Sequence, residues 1–124
     1  MEKVITTMYK SYNGKTYDNV SACCDADSEY YDTLIVQDDL RFPFANAQDN
    51  VRIDLLLLNT KDDLECVLTR PAVANWDVFG TDDIREHGYP CEVYLYRNET
   101  HGYSEFYLRE PLDRVLGVVA SRVL

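Results

Sequence analysis

Between residues 16 and 40 the chain carries no lysine and no arginine. A nucleic-acid or anionic-membrane surface would be repelled by so uncompensated a stretch, so direct binding of either is not expected. The five glycines stand singly, which removes the phosphate-cradling loops of dinucleotide-binding and P-loop proteins. There are two histidines, and the four cysteines, Cys23, Cys24, Cys66 and Cys91, include no Cys-x-x-Cys pair. The zinc signatures are therefore missing, and neither a metal nor a cofactor is expected. No uncharged apolar run is long enough to span a bilayer. Residues 1–6 lack a basic region followed by a long apolar core, so the expectation is a cytoplasmic protein with reduced thiols, in which Asn98-Glu99-Thr100 matches a glycosylation acceptor only by accident.

What remains is enough to fold. In 124 residues, 46% are apolar and 27% charged, values that support a packed core despite a net charge of −10. That length fits one domain, with no linker, low-complexity tail or internal repeat. Ten tyrosines against four phenylalanines and one tryptophan supply large contact area that tolerates partial exposure.

The most hydrophobic run, residues 51–58 (Val-Arg-Ile-Asp-Leu-Leu-Leu-Leu), begins with strand alternation and ends apolar on both faces, as a central strand would. Polar residues 59–63 then read as a turn and residues 64–69 as a returning strand, making an antiparallel hairpin. Val51, Ile53, Leu55, Leu57, Val67 and Leu116 are expected to be buried, with Leu56 and Leu58 buried only if something covers the opposite face. A first hairpin is expected from residues 3–9 and 16–22 around Asn13-Gly14. Residues 32–37 read as a short strand from their β-branched content, with a helix over 28–36 capped by Ser28 or Asp27 as the alternative. Pro43 interrupts regular structure, 45–50 is a connecting loop, and 72–79 is ambiguous. Thr81-Asp82-Asp83 opens a short helix that Gly88 ends. Residues 91–96 and 103–109 form a further hairpin, and Leu112, Val115, Leu116, Val119 and Val123 space out a C-terminal amphipathic helix. The expected fold is α+β: an antiparallel sheet of roughly five to seven strands built from hairpins, with a short middle helix and the C-terminal helix packed on it.

Candidate chemistry is sparse. His101, in a loop beside Gly102, could act as a base with Glu99 or Glu105, although an exposed turn histidine is the reading favoured over it. His87 ends a short helix, where a cation meets the negative end of the macrodipole. Cys23-Cys24 lies in a negative field that opposes thiolate formation. Asp25, Asp27 and Glu29 alternate as calcium ligands do, but without the glycine and terminal glutamate of an EF-hand loop.

The remaining feature is the acidic stretch itself. Asp18, Asp25, Asp27, Glu29, Asp32, Asp38 and Asp39 share it with Tyr17, Tyr30 and Tyr31. Spaced carboxylates resemble a phosphate backbone in their field, and tyrosines can anchor an interface. The candidate partner-binding residues are Asp25, Asp27, Glu29, Tyr30, Tyr31, Asp32, Asp38 and Asp39, and the expected partner is a basic protein, such as a nucleic-acid-binding enzyme. In size and charge the chain is similar in general character to phage or mobile-element inhibitors of defence nucleases, such as anti-CRISPR and antirestriction proteins. That resemblance implies a non-enzymatic inhibitor and carries no residue role over. The alternatives are a small hydrolase or transferase using a His/carboxylate pair, and an accessory subunit whose acidic face is solubilising.

Overall fold

A computed structural model describes residues 7–40 and 49–110. The expected C-terminal helix, Leu116 included, lies outside the described residues, as do residues 3–6 of the expected first strand. In chain order the elements are β1 (Tyr9–Lys10), β2 (Thr16–Tyr17), α1 (Val20–Leu34), β3 (Ile35–Gln37), β4 (Val51–Leu58), α2 (Lys61–Leu68), α3 (Pro71–Ala74), β5 (Asp77–Phe79), α4 (Thr81–His87), β6 (Cys91–Asn98) and β7 (Tyr103–Leu108). The fold is mixed α+β, with two sheets among the described residues.

The small sheet pairs β1 with β2 across the Asn13-Gly14 turn, where Gly14 takes φ +88° and its amide donates to the Ser11 carbonyl oxygen. It is shorter than the sequence suggests, because residues 20–22 belong to α1. The large sheet has the order β3-β4-β6-β7-β5. Strands β4 and β6 are its spine, in antiparallel register from Val51↔Asn98 to Leu58↔Cys91. The hairpin of β6 and β7 is present as expected, with Val93 opposite Leu108 and Asn98 opposite Tyr103. Strand β5 runs parallel to β7, so the sheet is not wholly antiparallel.

The central hairpin expected over residues 51–69 does not form. Lys61–Leu68 is helical, opened by a capping box in which the Thr60 hydroxyl accepts from the Asp63 amide and the Asp63 carboxylate accepts from the Thr60 amide. Leu64, Val67 and Leu68 recur at i, i+3 and i+4, and that spacing prevails over the β-branched content. The same local physics corrects residues 28–37: α1 runs through Leu34, and only Ile35–Gln37 is strand. At α4 the N-cap is Gly80 in the left-handed region, without a side-chain cap hydrogen bond, and Thr81 is already helical.

Each face of the sheet has its own apolar cluster. Leu56 and Leu58 on β4, Val93 and Leu95 on β6 and Phe106 on β7 pack beneath Leu34, Leu64, Val67, Val73 and Ile84 from the four helices. Ile53, Leu55, Tyr94, Tyr96 and Leu40 gather on the opposite face, with Val51, Tyr103 and Tyr107 at its margin. Leu56 and Leu58 are thus buried outright, whereas Leu57 is 36% exposed and Val51 is partly buried, a reversal of part of the expected burial. The cause is that α2 folds back over the even-numbered residues of β4.

Candidate functional site

Asn19 starts α1 by accepting a hydrogen bond from the Ala22 amide at 2.7 Å. Cys23, Ala26 and Leu34 turn inward, while Asp25, Ser28, Glu29 and Asp32 remain exposed. Asp25, Glu29 and Asp32 stand at i, i+4 and i+7, hence on one helix face. None of the three has a cationic partner among the described residues. Helix α1 also has no acidic residue in its first turn and no basic residue in its last, so Asp32 sits uncompensated near the negative end of the macrodipole.

The other candidates have intramolecular roles. Asp27 accepts from the Ser11 hydroxyl at 2.6 Å and the Tyr12 amide at 2.8 Å, which ties the β1–β2 turn to α1. The Tyr30 hydroxyl donates to the Asp63 carboxylate, which also accepts from the amides of Asn59 (2.7 Å) and Thr60 (3.2 Å). That bond pushes the Tyr30 phenol up to about 12, because ionisation would set two negative groups against each other. Tyr31 packs on the main core, and burial, with Asp54 adding to it, raises its phenol to about 12 against the opposing pull of Arg97 and Arg52.

Asp38 and Asp39 belong to a second charged group. Asp54, fully buried in β4, receives Arg52 Nε and Arg97 Nη2, each at 3.3 Å, and the Asp39 amide at 3.0 Å. Arg52 also reaches Asp38 at 3.6 Å. Asp39 itself takes φ +50°, turning the chain so that Leu40 enters the second apolar cluster. The eight candidates therefore divide: Asp25, Glu29 and Asp32 form a stripe, Asp27, Tyr30 and Tyr31 join elements together, and Asp38 and Asp39 flank a buried ion cluster.

Sequence reasoning passed over Asp54, Asp63 and Asp49. The first has a signal in Arg52, two residues away on the same strand face, and the second in the Thr60-x-x-Asp63 spacing of a capping box. Asp49 has no local signal. Its carboxylate lies 3.4 Å from His101 Nε2 and accepts from Asn98 Nδ2 at 3.0 Å, so the carboxylate beside His101 is Asp49 rather than Glu99 or Glu105. Asn98 is buried and its amide is engaged, which closes the glycosylation match in the folded chain. His87 Nδ1 lies 2.9 Å from the Gly88 carbonyl oxygen, out in solvent.

Among the described residues the cysteines are all free thiols, Cys24 alone being exposed. No cluster of three or more His, Cys, Asp or Glu residues suited to a metal is found there. No described helix is long and apolar enough to cross a membrane. The arrangement defines a mixed α+β protein with an acidic helix face. No family model, curated protein or solved structure matches the chain.

Proposed function

We propose that the protein is a non-enzymatic interaction protein whose α1 stripe of Asp25, Glu29 and Asp32 binds a basic protein surface. One observation carries the reading: the stripe has no cationic partner among the described residues and is locally unfavourable. Like charges at i and i+4 repel, and an uncompensated carboxylate in a last turn opposes the macrodipole, each effect amounting to a few tenths of a kcal/mol. Residues that break local rules without a structural return concentrate at functional sites. The inward candidates do have such a return, which leaves the stripe as the part without one.

Linear charge density sharpens the partner. The seven helical steps from Asp25 to Asp32 span about 10 Å, over which duplex DNA would present about six phosphates and the stripe presents three carboxylates. The stripe therefore matches a local basic groove better than a long duplex channel. A nucleic-acid-binding enzyme, inhibited by occupation of that groove, is the partner class this reading favours.

The test is a triple substitution, Asp25→Asn with Glu29→Gln and Asp32→Asn. Capture from native host extract should lose the partner retained by the wild-type chain, while the melting temperature stays level or rises slightly. Retention should also fall between low and high salt, since exposed attraction is screened over about 8 Å at physiological ionic strength. A partner held equally well by the variant, at any salt concentration, overturns the reading. The hydrolase or transferase alternative gains the His101–Asp49 pair, but no Ser, Thr or Cys side chain is hydrogen bonded to His101 among the described residues.

A further inference from the structure

On the face of the sheet away from α1, the edge strand β5 sets Phe79 beside Tyr103 of β7, ring centroids 6.2 Å apart and planes at 71°. Tyr103 in turn lies 5.9 Å from Tyr96 at 34°. The rings form a row with non-parallel faces. Phe79, at its outer end, remains 51% exposed. Gly80 fixes it there: with φ +87°, a Cβ at that position would lie 2.3 Å from the Phe106 carbonyl oxygen, so only glycine lets the chain leave β5 this close to β7.

Among the described residues, the charged positions that strand register sets beside the row are carboxylates. Asp77 is the register partner of Tyr103, and Glu105 is the partner of both Phe79 and Tyr96. Strand alternation puts Asp77, Phe79, Tyr103 and Glu105 on the same face. The nearest arginine on β6, Arg97, turns to the other face to meet Asp54. Arg109, just past the end of β7, is held by Glu92 at 2.7 Å. Aromatic faces bordered by carboxylates are the chemistry that recognises a guanidinium or ammonium group, through the ring quadrupole and the anionic rim together.

We infer that the Phe79–Tyr103 pair, backed by the buried Tyr96, is a seat for an arginine side chain of a basic protein, with Asp77 and Glu105 as its anionic rim. The inference rests on the proposed function only for the sign of the partner's charge. The seat lies on the opposite face of the sheet from the α1 stripe, so either can fail while the other stands.

The test titrates an arginine-rich decapeptide into the full chain and follows the ring proton resonances of Phe79 and Tyr103. Those signals should move on binding. Phe79→Leu, which keeps apolar bulk and loses the ring, should weaken the peptide roughly three- to tenfold without lowering the melting temperature appreciably. The Asp25→Asn, Glu29→Gln, Asp32→Asn chain should still shift the rings. If Phe79→Leu binds as wild type, or the ring signals shift in wild type but not in the triple variant, the peptide sits on α1 and the seat is overturned. Equal shifts with a glutamate-rich decapeptide would also overturn it.

Discussion

Asp63 is the residue on which the most local structure converges. Its carboxylate closes the cap of α2, accepts from Asn59, and holds the Tyr30 hydroxyl of α1. Asp63→Ala leaves these donors without their acceptor and is expected to cost about 2 to 4 kcal/mol, measured by urea denaturation. Tyr30→Phe should cost less, since it removes the donor and leaves the cap in place. A pH dependence follows from the same bond and from the burial of Tyr31. In the folded chain the Tyr30 and Tyr31 phenols are pushed up to about 12, against about 10 for a free phenol. The folded state then keeps protons that the unfolded chain releases, so their contribution is complete below pH 10 and is lost as pH rises through 12. Thermal melts between pH 9 and 12 should fall steeply in the wild type and less steeply in Tyr30→Phe. Among the thiols, burial pushes Cys66 up to about 11 and raises Cys23 and Cys91, so alkylation of the native chain should label Cys24 first and the other three only on unfolding.

At the scale of elements, β4 shows how one strand supplies two cores. Leu56 is fully buried under the helices while its neighbour Leu57 is 36% exposed. Leu56→Ala should cost about 2 to 5 kcal/mol and Leu57→Ala under about 1 kcal/mol, a contrast that denaturation midpoints would reveal at once. Equal losses would mean that the two faces of β4 are assigned the wrong way round. The junction of β5 and α4 is equally sharp: Gly80→Ala forces a Cβ into the Phe106 carbonyl from a left-handed backbone, and a loss of more than about 1 kcal/mol is expected. Strands β4, β6 and β7 were legible in the sequence because β-branched and aromatic residues dominate them and turn residues bound them. Helix α2 was not, because five of its eight residues (Leu64, Glu65, Cys66, Val67 and Leu68) form a short, mostly apolar run that suits strand or helix equally, and only the capping pair decides. Helix α1 was legible only as the second choice over residues 28–36, and its start at Val20 was read as strand: with Tyr30, Tyr31, Thr33 and Ile35 near its end, local propensity leans to strand, and packing against α2 prevails over it.

For the whole molecule, charge is distributed by fold rather than by sequence neighbourhood. The basic-free stretch of residues 16–40 reads as one acidic surface, yet the fold leaves Asp25, Glu29 and Asp32 in solvent and assigns Asp27 to a turn and Asp38 to Arg52. Neutralising the buried Asp54 should therefore behave quite unlike neutralising the stripe. Asp54→Ala leaves the mostly buried Arg97 and the Asp39 amide without their acceptor and is expected to cost about 3 to 5 kcal/mol, whereas the stripe variant changes stability by less than about 1 kcal/mol. A pair of thermal melts compares them directly. The sequence by itself determined the class of fold, the β6–β7 hairpin, the Asn13-Gly14 turn, the short helix before Gly88 and the acidic balance, because each depends on composition or on contacts within a few residues. Only the tertiary structure decided which acids are free, which side of β4 the helices cover, and that Asp49 stands beside His101 and Phe79 beside Tyr103. Those pairings bring together residues 24 to 52 positions apart in the chain, and no local pattern in a single sequence encodes a distance of that kind.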